Sequence, residues 1–154
     1  MILSRNEVLA RAAALGAASG SRSTAGITAV ALTSHPDDRG AVASRLGSRA
    51  GGVIAGVAAA AELVADKLPS TPSRLGAGLL PRLVFGATSA ATVARRDGQD
   101  VAVPLLIGLA GAAAASVLGV RLRAAAAQRL GSDKPGAVAE DAVAALLGWY
   151  GARR

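Results

Sequence analysis

The residues best equipped for chemistry lie in ELVADKLPSTPSR, residues 62–74, where an Ala/Gly-rich apolar run ends in two acids, a base and two prolines. Glu62 and Asp66 are four apart and share a helix face, Lys67 lies well round the cylinder, and Pro69 removes a backbone donor and stops the helix. Two carboxylates are thus delivered to one place near a helix end. Behind them Gly51, Ala55 and Ala59 continue the same face at four-residue spacing, and Gly52 and Gly56 widen it. The uninterrupted apolar part, residues 51–61, is too short to cross a bilayer unless the acids lie inside the membrane or at its edge. Glu62 is therefore a candidate intramembrane carboxylate in need of a partner, whereas Asp66 and Lys67 read as solvated charges at headgroup level.

Cations that could answer Glu62 are embedded in the other apolar runs. Arg82 sits in a small-residue row of Gly78, Gly86 and Ala90, beside Pro81, which is expected to loosen the helix. Its guanidinium must face another helix, and burial against Glu62 or Glu140 is the expectation. Arg22 falls deep within the first apolar run and must face protein or water, or the helix must break at SRST, residues 21–24. Glu140 and Asp141 open the last apolar run, and Lys67 and Arg74 flank the proline-rich turn. The expected substrate or ion site is accordingly Arg22, Glu62, Asp66, Lys67, Arg74, Arg82, Glu140 and Asp141. Inward arginines would receive an anionic group while Glu62 and Glu140 exchange protons or cations, which is the chemistry of a transporter, channel or lipid flippase. The alternative is a non-catalytic membrane scaffold or accessory subunit whose buried charges fix helix register.

Enzyme chemistry finds little support. Lys67 and Arg74 reproduce the K-x6-R spacing of membrane lipid phosphatases, but Leu75 stands where proline is expected, and His35, the only histidine, lies in a polar loop without the neighbouring motif. With no cysteine there is no thiolate metal or redox site, and GAGLLPR has neither the spacing nor the lysine of a phosphate-binding loop. The sequence calls for no cofactor and no metal, and no enzyme is expected.

The elements that must hold these charges are apolar and built from small residues. The 154 residues are 52% hydrophobic yet only 2% aromatic, with a mean hydropathy of +0.43. A soluble core would draw on larger side chains, whereas Ala and Gly suit helices that approach closely in lipid. The expected fold is an all-α, polytopic integral membrane bundle in one domain, residues 1–154, with four or five membrane-embedded segments. These are residues 8–32, where a signal peptide is the rival reading, from about 50 to 61, 76–93, 101–120 and 137–150. A polar loop at 33–48, a charged turn at 94–100 and a basic connection at 121–134 separate them. Small-residue rows recur at Gly16 and Gly20 and at Gly111, Ala115 and Gly119, and Trp149 and Tyr150 suit an interfacial anchor. The rows offer more close-packing surface than one bundle consumes, so a homo-oligomer, most simply a two-fold dimer, is expected. The net charge of +7 is spread between apolar runs and not clustered with aromatics, which points to membrane lipids as partners and away from nucleic acid. Lys and Arg counted on alternate sides of five spans leave the orientation open. An internal echo, ASGSR ending at Arg22 with VLGVR ending at Arg121 and AAAE at Glu62 with AVAE at Glu140, raises a weak inverted repeat.

ELVADKLPSTPSR followed by LLPRLVFGATSAA, with the early GAASGSRS and the late Pro135 and AEDAVA, resembles the bacterial membrane proteins grouped as domain-of-unknown-function family 4126. The resemblance covers residues 9–147 and departs at SRSTAG, where the family's first helix is richer in threonine and proline. It implies a small multi-pass protein of the bacterial cytoplasmic (inner) membrane, and it implies no activity. The family-like positions are Arg22, Glu62, Asp66, Lys67, Pro69, Pro72, Ser73, Arg74, Arg82, Glu140 and Asp141.

Overall fold

The structure, a computed structural model, describes residues 4–65, 76–131 and 134–154. Among the described residues there are seven helices and no strand: α1 (Arg5–Ser21), α2 (Ala25–Thr33), α3 (Ala41–Leu46), α4 (Arg49–Ala65), α5 (Leu79–Arg96), α6 (Ala102–Leu130) and α7 (Lys134–Ala152). Asp66, Lys67, Pro69, Pro72, Ser73 and Arg74 lie outside the described residues. One helix, over Ala102–Arg129, is long and apolar enough to cross a membrane by length and composition. The expectation of four or five spans is not supported on that criterion, because the other helices are shorter or carry charges within them.

Several boundaries differ from the sequence reading, each for a local reason. Residues 8–32 do not form one unbroken helix; of the two outcomes expected for Arg22 the break at SRST is the one found, since Ser23 and Thr24 are residue types that start helices and the chain turns at Arg22 to begin α2. Arg11 of α1 and Thr33 of α2 both bond into one cluster around Arg96, so α2 runs back alongside α1 and the two make a helical hairpin. Pro81 does not loosen a helix; it lies in the first turn of α5, where its missing N–H costs nothing. The basic connection at 121–134 is helical as far as Leu130, since Ala, Leu, Arg and Gln all favour helix, and Gly131 at φ +66° ends it in the left-handed region.

The centre of the bundle is where α1, α5 and α6 touch through glycine. A Cβ built on Gly86 would lie 3.0 Å from the Gly108 carbonyl oxygen and 3.3 Å from the Gly16 Cα, and one on Gly108 would fall 2.6 Å from both the Ala90 Cβ and the Gly86 carbonyl oxygen. Three backbones thus meet with no side chain between them, the close approach that small-residue rows permit. Gly16 and Gly20 serve this contact as their spacing predicts. Gly111 and Ala115 also face α1, but the fully packed row of α6 is Pro104, Gly108, Ala112 and Ser116, one step round the helix. On α4, Ala55 is buried as expected, whereas Gly52 and Gly56 have nothing near them and do not widen the packed face.

Polarity is distributed inside out. Arg11, Arg82, Arg96, Ser19, Ser89, Thr92 and Ser116 are buried, while Ile54, Leu80, Leu106, Leu118, Leu146 and Trp149 are exposed. The buried hydrophobic residues are mostly alanine.

Candidate functional site

The turn between α1 and α2 is a junction of two helix ends. At the end of α1 the C-terminal carbonyls point onward without intrahelical partners, and at the start of α2 the first N–H groups do the same. Each end meets a charge of the favourable sign. Arg82, 5% exposed in the first turn of α5, donates from Nη1 to the carbonyl oxygens of Gly20 (2.9 Å) and Ser21 (2.8 Å). Glu62, in the last turn of α4, accepts at Oε1 from the Ser23 N–H (2.7 Å) and hydroxyl (2.5 Å), and at Oε2 from the Thr24 N–H (2.9 Å) and hydroxyl (2.5 Å). One carboxylate therefore caps α2 from a different helix with four donors. Arg22, at the turn itself, pairs through Nε with Asp141 Oδ1 of α7 at 2.5 Å. Ser116 of α6 adds a hydroxyl to the Gly20 carbonyl at 3.2 Å.

Four of the expected residues, Arg22, Glu62, Arg82 and Asp141, are thus brought to one turn by α1, α4, α5 and α7. The expected meeting takes a different form from the one read in the sequence. Glu62 and Arg82 hold opposite sides of the turn through its backbone, and Glu140 stands across from Arg123 of α6, with Oε2 3.8 Å from Nη1. Asp66, Lys67 and Arg74 lie outside the described residues. Two apolar grooves of about 380 Å³ each flank α7, one containing Arg22 and Asp141 and ending at Trp149, the other containing Arg123 and Glu140. Ser23, Thr24 and Arg123 were not among the expected site residues, although SRST was a possible helix break. Ser-Thr directly after an arginine and before an apolar run is a helix-start signal that would have found the first two.

A second polar cluster, also missed, lies at the opposite end of the hairpin. Arg11 donates from Nε to the Gly151 carbonyl (3.1 Å), from Nη1 to Asp97 Oδ2 (2.9 Å) and from Nη2 to the Arg153 carbonyl. Arg96 donates to Asp97 Oδ1 (3.2 Å), Thr33 Oγ1 (3.1 Å) and the Ala152 carbonyl (2.8 Å). Two buried guanidinium groups therefore cap the C-terminal end of α7, the same device that Arg82 applies to α1, with Asp97 between them as counter-charge.

Beyond this cluster Arg154 grips Asp38 with Nη2 at 2.8 and 2.7 Å from the two carboxylate oxygens. Burial raises the affinity of the Asp38 carboxyl for its proton, but the His35 N–H and Arg154 together outweigh it and hold the group below its usual value. The contribution to stability is accordingly complete above about pH 4, the ordinary aspartate value, and is lost as pH falls through the lowered folded value. The melting temperature of Asp38→Asn should lie below that of the parent at pH 6, and the gap should narrow only as the pH falls below about 4 and through the lowered folded value.

No family model matches the chain, and neither does any curated protein or solved structure.

Proposed function

We propose that the chain is an integral protein of the bacterial inner membrane in which α4, α5, α6 and α7 cross the bilayer and the α1–α2 hairpin enters from one side and returns. Its turn, between Glu62 and Arg82, is the working site of a transporter, channel or lipid flippase. Membership of domain-of-unknown-function family 4126 is part of the proposal and rests on the sequence motifs. The observation that carries the reading is a chain reversal whose two helix ends meet intramembrane charges. Exposed backbone ends are tolerated at that depth only where protein or a wet cavity satisfies them, and discontinuous helices of this kind hold substrates and ions in transporters. The inside-out polarity favours lipid as the surrounding medium, since water would leave many large aliphatic side chains without a reason to face out. Helices of 17, 18 and 19 residues, α4, α5 and α7, fall within the length range that spans a hydrocarbon core.

On this reading the hairpin returns both of its termini to one side. Arg5, Arg11, Arg39, Arg45, Arg49, Arg95, Arg96, Arg153 and Arg154 belong to the Arg96 end once residues 8–32 are a re-entrant pair, which is nine of the 17 Lys and Arg, so charge balance favours neither orientation and sidedness is left to experiment. Because the chain has no cysteine, single introduced cysteines report sidedness cleanly. Arg5→Cys and Asp37→Cys should behave alike toward a membrane-impermeant maleimide in intact cells, both reacting or both resisting until lysis, and which of the two occurs gives the orientation. Labelling of one but not the other would mean that residues 8–32 cross, and recovery of the protein in the aqueous fraction without detergent would end the membrane reading.

One observation favours the scaffold alternative: all four donors at the turn are already directed to Glu62, and Arg82 is directed to two carbonyls. Flux measurements on Glu62 variants separate the two, as argued in the Discussion.

A further inference from the structure

A groove of about 560 Å³ lies between the 39–43 segment, the outer face of α5 and the first turns of α6, at the Arg96 end. Its walls are mostly apolar, with Val42, Ala91 and Leu105 among them and Thr88 and Thr92 on the α5 side, and it extends along α5 from Arg95 to Thr88, seven residues or about 10 Å of helix. Two arginines stand at its rim. A Cβ on Gly98 would lie 2.8 Å from Arg39 Nη1, which places that guanidinium over the α5–α6 turn, and one on Gly40 would lie 2.9 Å from Arg95 Cγ, so the Arg95 stem packs on the bare Gly40 backbone. Both side chains are exposed, and the ion pairs of the described residues include neither of them. The acids of this end have other partners: Asp38 faces Arg154, Asp97 faces Arg11 and Arg96, Glu7 faces Arg153, Asp100 accepts from the Ala102 N–H at the start of α6, and the exposed Asp37 lies against His35.

We propose that this groove is a binding site for one anionic phospholipid of the leaflet at the Arg96 end, with its phosphate between Arg39 and Arg95 and the upper part of one acyl chain against Val42, Ala91 and Leu105. The site rests on the membrane reading above, which puts the Arg96 end at the interface where such headgroups lie. Two guanidinium groups with no carboxylate of the described residues at ion-pair distance select an anionic over a zwitterionic headgroup, because arginine takes phosphate oxygens in a fork. The apolar part of the wall, Val42, Ala91, Val101 and Leu105, favours a lipid over a free anion, with Thr88 and Thr92 completing the α5 side.

Native mass spectrometry of the full chain, extracted in mild detergent and exchanged with mixtures of phosphatidylglycerol and phosphatidylcholine, tests this. The parent should retain one phosphatidylglycerol in preference to phosphatidylcholine. Arg39→Gln/Arg95→Gln should weaken that retention by roughly thirtyfold, two basic contacts at about fivefold each. Ala91→Trp, which fills the groove and keeps both arginines, should lose the lipid as well, and Arg45→Gln/Arg49→Gln should change it little. Circular dichroism on each variant confirms that helix content is retained. Equal retention by the Arg39/Arg95 variant, an equal loss in the Arg45/Arg49 variant, or full displacement of the lipid by millimolar inorganic phosphate would overturn the site. A protein that inserts in membranes yet retains no lipid would reject this proposal alone, whereas one that needs no detergent would reject the membrane reading with it.

Discussion

Gly108→Ala is expected to destabilise the protein by about 2–3 kcal/mol, although the same change in an ordinary helix interior stabilises by up to about 1 kcal/mol. The sign reverses because the new methyl group would meet the Ala90 Cβ and the Gly86 carbonyl oxygen, each at 2.6 Å, and the second of these is backbone. Relief requires α5 and α6 to separate, and separation also opens the Gly16 contact on α1. Gly108→Leu extends the clash and is expected to prevent folding. Ala114→Leu, exposed on the same helix, should stay within about 0.5 kcal/mol of the parent. Gly56→Ala on α4 provides the contrast: nothing lies within reach of its Cβ, so helix propensity alone should act, and the variant should gain about 0.5–1 kcal/mol. Unfolding followed by circular dichroism in a graded series of denaturing detergent reads all four. If Gly56→Ala instead lost stability together with a fall in mass from dimer to monomer, a second copy of the chain would be packed on the bare face of α4.

How much of this was readable from the residues divides along one line. Rows of small residues at four-residue spacing are a periodic signal, and the helices of the centre, the burial of Arg82 and the contact made by Gly16 and Gly20 follow from it. The packed row of α6 was missed by one step because Gly108, Ala112 and Ser116 compete with Gly111, Ala115 and Gly119 in an alanine-rich helix where every face is small. Chain reversal is a different kind of fact. Residues 8–32 carry enough apolar length for a span, and nothing periodic distinguishes a span from two short antiparallel helices; only Ser23 and Thr24, and a place for their N–H groups to bond, decide it. That one difference propagated. Counting residues 8–32 as a crossing puts Arg5 and Arg39 at opposite ends of the bundle, whereas a hairpin returns Arg5, Arg39, Arg49 and Arg154 to the same end. Partner identity was also beyond pattern reading. Glu140 and Asp141 are adjacent and chemically alike, yet on a helix they diverge by about 100° and meet different arginines, Arg123 and Arg22.

The second large effect is expected at Glu62. Glu62→Ala leaves two N–H groups and two hydroxyls of the turn without their acceptor, in a place where little water replaces it, and should cost about 3–5 kcal/mol, the usual loss on breaking a buried charged network from one side. Glu62→Gln is the more informative change. A glutamine keeps one acceptor oxygen for one of the two residues, but its NH₂ faces the backbone donor of the other, so the loss should fall between the parent and Glu62→Ala, near about 2 kcal/mol. Arg82→Gln acts on the other side of the turn and removes the charge that the α1 carbonyls receive, so its effect should be separable from that of Glu62 and not reversed by it. If the cluster is only a registry device, each variant lowers the unfolding midpoint, and proteoliposomes of parent and variants show the same background flux. On the transport reading the parent carries protons, ions or anionic lipid, and the folded fraction of Glu62→Gln loses that flux far beyond its loss of stability, because the carboxylate that caps α2 is also the group that must exchange its partners during a cycle. Undiminished flux through folded Glu62→Gln would remove Glu62 from any transport mechanism and leave it as the cap of α2.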